Sequence, residues 1–192
     1  LIRATLPSTI EIRTKMNGRS DIISADATQI HQVLVNLCVN ASHAMADHGG
    51  TLEILLDDRF LDEKECLAYP GLQPGPHVMI GVRDTGCGMT ADVLERIFEP
   101  FFTTKPQGEG TGLGLSVIHG IVRAHDGAIR AYSEPGRGSF FEVLLPNILT
   151  SSFRESDVLG QIPGGKEHVL LVDDEETWLR SSAMIRVRSN CP

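Results

Sequence analysis

Residues 108–122 read GEGTGLGLSVIHGIV, and this stretch decides how the fold is interpreted. Glycines stand at positions 108, 110, 112 and 114, and apolar residues with helical spacing follow them. The pattern predicts a long loop that leads into a helix beginning near Gly112. The first amides of a helix are unpaired and its dipole favours an anion, while glycine lets the backbone approach a phosphate closely. A surface loop without a ligand is the alternative for this stretch taken alone.

The glycines match none of three common phosphate-binding motifs. A P-loop requires Gly-Lys followed by Ser or Thr, which this chain does not contain. A Rossmann fingerprint starting at Gly108 or Gly110 requires a third glycine where Leu113 or Leu115 stands. The glycine loop of protein kinases fails for the same reason. Only the start of the helix itself is left as a phosphate site.

A second helix is predicted upstream, starting near Asp26 and ending at the glycines in positions 49 and 50. Apolar residues follow one helix face, and Asp26 or Thr28 is a suitable N-cap. Asn36 and Asn40 are four residues apart and therefore share a face beside the apolar stripe. Asparagine is a mediocre helix former, and its carbonyl oxygen is a hard ligand that suits Mg²⁺ bridged to a phosphate. Two buried or capped amides without a ligand are the alternative interpretation.

Asp84 follows a strand predicted at residues 78–82 and opens the stretch DTGCGM. A carboxylate at a strand end can accept a hydrogen bond from the exocyclic amine of adenine. Gly86 and Gly88 leave room for a flat base beside it. An ordinary turn, in which the aspartate bonds the backbone, is the alternative.

The other periodic segments complete a mixed α/β pattern. Residues 8–25 predict two short strands joined by a hairpin turn at Asn17-Gly18. Residues 57–76 are charged and then rich in proline and glycine, which predicts an excursion or loop. The remaining predicted elements are a strand at 52–56, a helix at 91–98 and an antiparallel pair at 128–133 and 139–145. Together they predict an α/β fold, a two-layer sandwich whose mixed sheet is covered by helices on one face.

Composition excludes several classes of function. The chain has 192 residues and a net charge of −8, so it lacks the positive charge that nucleic-acid binding needs. It contains no run of about 18 apolar residues that could insert into a membrane. Its four cysteines form no C-x-x-C pair, which favours reduced thiols and a cytoplasmic location.

Four motifs occur in an order that resembles the ATP-binding catalytic domain of sensor histidine kinases. They are similar to that family's N box, first glycine box, F box and second glycine box: HQVLVNLCVNASHAM (31–45), DTGCGM (84–89), FEPFFTTK (98–105) and GEGTGLGLSVIHGIV (108–122). The resemblance extends from about residue 8 to residue 147. It implies the Bergerat α/β sandwich shared with gyrase, Hsp90 and MutL ATPases, and it implies ATP and Mg²⁺ as cofactors.

The resemblance also implies roles for individual residues. Asn40 corresponds to the main Mg²⁺ ligand, with Asn36 one turn earlier in the same catalytic site. Asp84 corresponds to the residue that recognises adenine, with Gly86 and Gly88 beside the base.

A lid over ATP is implied by residues 98–105 together with the glycines of residues 108–114. Lys105 is expected to meet a phosphate. Residues 108–111 are expected to be mobile without nucleotide, and residues 112–115 to begin the helix that meets the phosphates. The nucleotide-binding positions implied there are Gly110, Thr111, Gly112, Leu113 and Gly114.

Position 36 favours phosphoryl transfer over hydrolysis. The hydrolysing members of the superfamily carry a glutamate one turn before the Mg²⁺ asparagine, where it serves as general base for water. Asn36 cannot take a proton, so transfer of the γ-phosphoryl group to a protein nucleophile is expected, largely by positioning and Mg²⁺ electrostatics. A Bergerat-fold ATPase that hydrolyses ATP to drive conformational change is the alternative, and a non-enzymatic nucleotide-binding module is a second one.

The phosphoacceptor is expected to lie outside this chain. In the family it is a histidine in a His-Glu/Asp-x-x-x-Pro type segment of a dimerising helical hairpin, and none of the seven histidines here has that surrounding. The chain is expected to start just after the hairpin, which becomes its implied partner. ATP binding without efficient self-phosphorylation is therefore predicted for this chain.

The C-terminal residues suggest a second domain. A kinase domain at 1–149 is followed by a polar linker at 150–167 and then by HVLLVDDEE at 168–176. The last stretch resembles the first strand of a response-regulator receiver domain, with Asp173 and Asp174 matching its Mg²⁺-holding acidic pair. Residues 168–192 are too few for a whole receiver. The parent is thus expected to be a hybrid sensor kinase of a two-component phosphorelay, itself cytoplasmic or membrane-anchored.

Overall fold

The computed structural model describes residues 6–18, 22–106 and 110–148, together with Arg3 and the backbone of residues 186–187. The predicted linker and receiver-like segment fall outside the described residues, apart from those two backbone positions, and remain predictions. Among the described residues, no helix combines the length and the apolar character that crossing a bilayer requires.

Strands and helices alternate along the described chain. The strands are β1 (Ile10–Met16), β2 (Ile22–Ile23), β3 (Gly50–Leu61), β4 (Gly75–Asp84), β5 (Ala128–Glu134), β6 (Gly138–Pro146) and β7 (Arg186–Val187). The helices are α1 (Ala27–Ala44), α2 (Glu63–Cys66), α3 (Ala91–Arg96) and α4 (Gly114–Ala124).

Five strands form one mixed sheet in the order β1-β3-β4-β6-β5. The β1–β3 pair is parallel, and the other three pairs are antiparallel. β2 pairs in parallel with β7 outside this sheet. The predicted mixed, mostly antiparallel sheet and its closing antiparallel pair are confirmed.

The main core lies between the sheet and the long helices α1 and α4. α1 buries a stripe with helical spacing, and its apolar residues meet alternate residues of β3, β4 and β6. α4 adds Ile118 and Val122, both fully buried. Burying a large aliphatic side chain contributes about 1.5–3 kcal/mol, so this layer contributes much of the domain's stability. The layer also fixes how the two helices lie relative to each other.

The predicted hairpin at Asn17-Gly18 is wrong. β1 pairs with β3 in parallel, with Ile10 opposite Gly50, and β2 belongs to a different pair. The Asn-Gly turn signal is local, whereas strand pairing is decided by burial of the side chains. Ile10 is 1 % exposed in the main core, and that burial outweighs the local signal.

The predicted excursion or loop at residues 57–76 contains more regular structure than a loop. β3 continues to Leu61, α2 follows at once, and β4 already begins at Gly75. Asp62 starts α2 with a capping box, in which its side chain accepts the Glu65 N–H and Glu65 bonds the Asp62 N–H. This segment covers part of the other sheet face with a second apolar cluster: Leu61, Tyr69, Leu72, Met79, Ala128 and Leu144.

The two long helices are tied together at one end. The His125 ring, just after α4, donates from Nδ1 to the Ile121 carbonyl at 2.8 Å and accepts the Asp26 N–H on Nε2 at 3.1 Å. Asp26 is also the N-cap of α1. The opposite ends of the helices, the last turns of α1 and the first turn of α4, lie near the predicted nucleotide site.

Candidate functional site

α1 presents the two predicted asparagines to the site. Its start is fixed by Asp26, whose Oδ1 accepts the N–H groups of Thr28 and Gln29 at 2.7 and 3.3 Å. Asn36 and Asn40 are half-buried, and neither amide makes a hydrogen bond with any residue in the described ranges. Half-buried amides normally find partners in the protein or in solvent. Both amides are therefore available to a ligand or to solvent.

Asp84 is the last residue of β4 and lies on its helix-facing side, because Val82 two residues earlier is in the main core. Its side chain is 4 % exposed. Oδ1 accepts the N–H groups of Gly86 at 2.8 Å and Ser139 at 3.2 Å. Burial raises the pKa of this carboxyl, and the two backbone hydrogen bonds oppose that rise.

The second carboxylate oxygen of Asp84, Oδ2, accepts no hydrogen bond from the part of the chain that the structure describes. A buried acceptor without a partner is costly, at about 1–3 kcal/mol. A donor group on a bound ligand satisfies this oxygen, and the exocyclic amine of adenine is such a donor. The predicted base-recognition role therefore fits this residue.

Gly86 and Gly88 are explained by close packing of protein segments. A Cβ on Gly86 would lie 2.5 Å from the carbonyl oxygen of Ala44, at the end of α1. Gly88 has φ +66°, and a Cβ there would collide with the carbonyl of Glu134. Between these two glycines, the Cys87 N–H donates to the Ala44 carbonyl at 3.0 Å and holds the loop against the end of α1. Their predicted place beside a base stays a prediction, while their packing role is a finding.

The base of the predicted lid is closed by a backbone contact. The Phe101 N–H donates to the Gly112 carbonyl at 2.9 Å, and these residues have φ values of +67° and +66°. Only glycine adopts such a φ without strain, and a Cβ on Gly112 would collide with the Phe101 backbone. Gly110 is similarly close, because its Cβ would lie 2.7 Å from the Thr103 hydroxyl. The predicted positions 108 and 109 lie outside the described residues.

α4 begins at Gly114, within the predicted range, and no side chain in the described part of the chain caps its start. The Thr111 hydroxyl accepts the Leu113 N–H at 3.4 Å, one residue before the helix. The first-turn amides of α4 are therefore left to an external acceptor, as the sequence predicts.

The structure brings these parts together. A Cβ placed on Gly114 would lie 4.0 Å from Asn40 Nδ2, so the start of α4 faces the amide of α1 directly. Lys105 Nζ lies 2.5 Å from Nδ1 of His43, which is one turn after Asn40 on the same helix. An amide, an ammonium and an uncapped helix start thus border one space. This combination suits a phosphate chain.

Three residues of this region were not predicted. His43 could have been found from its i+3 spacing to Asn40. The other two are Ser139, whose N–H donates to Asp84, and Ser133, whose hydroxyl lies beside that of Ser139. Both lie on strands far from Asp84 in sequence, so the local pattern gives no signal for them.

The donor set fits Mg²⁺ accompanied by phosphates. Asn40 and Asn36 offer carbonyl oxygens, the hard ligand class that this ion prefers, and Mg²⁺ commonly takes one or two protein ligands with water and phosphate oxygens. Both amides are unpaired among the described residues, so either carbonyl can turn toward an ion.

The comparisons with known proteins agree with this geometry. Residues 25–148 match the profile of the histidine kinase-, DNA gyrase B-, and HSP90-like ATPases. The chain belongs to this ATPase family. Among its members, the chain is 40 % identical over 179 residues to sensor kinase CckA of Brucella abortus, covering 86 % of this chain and 19 % of CckA. It is 39 % identical over 141 residues to sensor histidine kinase ZraS of Escherichia coli, covering 73 % of this chain and 26 % of ZraS.

Solved structures of this ATPase family share the fold. The nucleotide-free catalytic domain of histidine kinase ThkA matches with a TM-score of 0.57 and 31 % identity, over 76 % of this chain and 82 % of that one. Full-length ShkA in complex with AMPPNP matches with a TM-score of 0.54 and 31 % identity, over 71 % of this chain and 25 % of ShkA. The chain thus carries a histidine kinase catalytic domain of the sensor kinase type. It spans about a fifth to a quarter of the curated relatives it matches.

Proposed function

We propose that this domain binds Mg-ATP and transfers the γ-phosphoryl group to a histidine on a helical hairpin upstream in the parent protein. The observation that carries the proposal is the proximity of two features without partners among the described residues: the uncapped start of α4 and the amide of Asn40. Asp84 lies on the same side of the sheet, with its buried free oxygen at the end of β4. One end of the site suits an adenine, and the other suits a phosphate chain.

In this proposal, each group of residues binds a different part of Mg-ATP. Asp84 holds the base through Oδ2, and its Oδ1 stays fixed by two backbone donors. The first-turn amides of α4 and the Lys105 ammonium bind and orient the phosphates. Asn40 and Asn36 hold Mg²⁺, which offsets phosphate charge when bound. The lid residues near Phe101 and Gly112 exclude water, and Asn36 does not activate water because an amide cannot accept a proton at neutral pH.

Phosphoryl transfer is tested with a separate acceptor. The domain is mixed with the phosphoacceptor hairpin proposed for its parent protein and with γ-labelled ATP. We expect an alkali-stable, acid-labile label on the hairpin with the native domain and none with Asn40→Ala. Steady release of inorganic phosphate that Asn40→Ala abolishes, without a labelled hairpin, would favour the hydrolysing ATPase. Nucleotide binding with neither product would favour a non-enzymatic module.

The base site is tested by Asp84→Asn. The amide keeps an oxygen for the two backbone donors but places an NH₂ where Oδ2 meets the adenine amine, so two donors face each other. A buried charged hydrogen bond is worth roughly 1.5–3 kcal/mol, which corresponds to a Kd for ATP about 10- to 100-fold higher by calorimetry. An unchanged Kd would mean that the base does not bind at Asp84.

The same variant has a pH-dependent effect on stability without nucleotide. Burial raises the pKa of Asp84 above its usual 3.8, so ionising this carboxyl is harder in the folded state than in the unfolded chain. The free energy of unfolding is therefore highest below pH 3.8, where the carboxyl is protonated in both states, and it falls as the pH rises through the raised pKa. Asp84→Asn removes this penalty. We expect the variant to melt at a higher temperature than the native domain at pH 7, with the difference vanishing below pH 3.8. A variant less stable at pH 7 would contradict the burial penalty.

The proposal extends to partners and context. A phosphoacceptor hairpin and a receiver domain are the expected partners, since the relatives are sensor kinases by name. The receiver-like stretch at 168–176 makes a hybrid kinase the expected parent. A cytoplasmic site of action follows from the ATP it uses, whether or not the parent is anchored in a membrane.

A further inference from the structure

The Ser133 hydroxyl lies at the junction of three segments beside Asp84. It is 2.8 Å from the Met89 backbone nitrogen, 2.9 Å from the Gly138 carbonyl oxygen and 3.0 Å from the Ser139 hydroxyl. Met89 ends the DTGCGM loop, and the other two residues begin β6. One half-buried oxygen thus connects the nucleotide-site loop to the hairpin that joins β5 and β6.

The hydrogen atoms can be assigned from these contacts. A hydroxyl has one donor hydrogen and two acceptor lone pairs. The Gly138 carbonyl only accepts and the Met89 N–H only donates, so Ser133 Oγ donates to Gly138 and accepts from Met89. The Ser139 hydroxyl must then donate to Ser133 Oγ. All three bonding positions of Ser133 are filled, which leaves no alternative orientation for its hydroxyl.

This junction determines where the Ser139 backbone lies. Ser133 and Ser139 are paired across the β5–β6 hairpin, and the Ser139 N–H donates to Asp84 Oδ1 at 3.2 Å. Gly138 has φ +86°, and a Cβ there would collide with the Asp84 carbonyl. On the other side of the loop, the Gly136 N–H donates to the Cys87 carbonyl at 2.7 Å. The hairpin therefore clamps the loop from Asp84 to Met89 from both sides.

We propose that Ser133 is a positioning residue that sets the adenine selectivity of the site through the Ser139 N–H and Asp84. The proposal rests on the proposed function, because it assumes that Asp84 binds the base. Without the Ser133 hydroxyl, the Met89 N–H and the buried Gly138 carbonyl each lose one hydrogen bond, and the direct contact between the hairpin and Met89 is lost. Asp84 Oδ2 then loses its fixed direction toward the exocyclic amine.

The selective readout is the ratio of the Kd for inosine triphosphate to the Kd for ATP. Inosine triphosphate carries a carbonyl where adenine carries the amine, while its triphosphate is identical. Loss of folded protein lowers the active fraction for both nucleotides equally and leaves the ratio unchanged. Misdirection of Asp84 lowers the ratio, because only the amine contact is lost.

The experiment measures both Kd values by calorimetry with Mg²⁺ present, for the native chain and for Ser133→Ala. We expect the native chain to prefer ATP, and Ser133→Ala to lower the ratio about tenfold, as the weakening of one buried hydrogen bond implies. Phosphoryl transfer to the separately added hairpin at saturating ATP should change less than twofold, because the phosphate end of the site is untouched. Ser133→Thr and Ser133→Val form a matched pair of equal shape, and we expect only the threonine to retain the native ratio.

Tyr69→Phe is the control for loss of a buried hydroxyl elsewhere. The Tyr69 hydroxyl donates to Glu142 at 2.6 Å on the other face of the sheet. We expect this variant to lower Tm and to keep the native ratio. If Ser133→Ala does not fold, the threonine–valine pair decides the question.

Each outcome separates the two proposals. A native chain without ATP preference, or one whose preference survives Asp84→Asn, overturns the proposed base site. A native preference that Asp84→Asn abolishes but that Ser133→Ala and Ser133→Val leave intact overturns the role of Ser133 alone.

Discussion

The two long helices begin in opposite ways. α1 is capped by Asp26, whose carboxylate accepts two backbone N–H groups of the first turn. α4 begins at Gly114 with no side-chain cap, after a residue of positive φ at Gly112. The capped start lies beside His125, at the end of α4, whereas the uncapped start faces Asn40.

The two helix starts differ in what satisfies their first-turn amides. An acidic N-cap satisfies the orphan amides with the protein's own oxygen and adds favourable charge at the positive end of the helix dipole. An uncapped start lacks that stabilisation and leaves the amides available to an external anion. The two starts predict opposite consequences of substitution: a loss of stability at one and a loss of affinity at the other.

The largest expected effect is on ATP affinity, from an acidic residue introduced at the start of α4. Gly114→Asp places a carboxylate next to Asn40, where the phosphates would lie. Two charges about 5 Å apart near a protein surface repel by about 3 kcal/mol, so the Kd for ATP should rise more than a hundredfold. Calorimetry measures this change, and Gly114→Asn is the uncharged control, expected to bind within a few-fold of native. Equal losses for both variants would mean that bulk and not charge closes the site.

Removing the cap of α1 should have a smaller and different effect. Asp26→Ala is expected to destabilise the domain by about 1 kcal/mol, because two first-turn amides lose their acceptor. The melting temperature should fall by about 3–5 °C. ATP affinity measured well below that temperature should be unchanged, and Asp26→Asn should restore most of the stability. A change in ATP affinity would show that the two helix starts are coupled.

The smallest expected effect is a gain in stability from a substitution within α4. A Cβ on Gly120, within α4, would meet no atom within 4 Å, and its φ is not in the left-handed region. Gly120→Ala should therefore stabilise the domain by about 0.5–1 kcal/mol by removing glycine's extra freedom in the unfolded chain. Thermal melting measures the gain, and ATP affinity should not change. Weaker binding would indicate that α4 must bend when nucleotide binds.

The sequence predicted the elements whose signals are local. The spacing of apolar residues located α1 and α4 to within a few residues, and Asp26, one of the two suggested caps, is the residue that caps α1. It also placed Asn36 and Asn40 on one face. Whether their amides already had partners was not readable, because that depends on what the fold brings near them.

The features that the sequence did not show depend on contacts between distant residues. Gly86 is needed because α1 ends against it, and Gly88 because the β5–β6 turn packs on it. The parallel pairing of β1 with β3 overrode an Asn-Gly turn signal, and the second apolar cluster drew residues 57–61 into a strand. Each of these outcomes is decided by burial against a partner that the local pattern does not name.

The hydrogen bond from Phe101 to Gly112 has a consequence for how the predicted lid can vary in length. It joins the two ends of the intervening segment, as in the neck of an Ω-loop. The closure entropy of such a loop grows only logarithmically, at about 0.6 kcal/mol for each doubling of length. Residues inserted between Phe101 and Gly112 should therefore leave the melting temperature nearly unchanged. If the predicted lid role holds, segments of different length can then be exchanged on one scaffold.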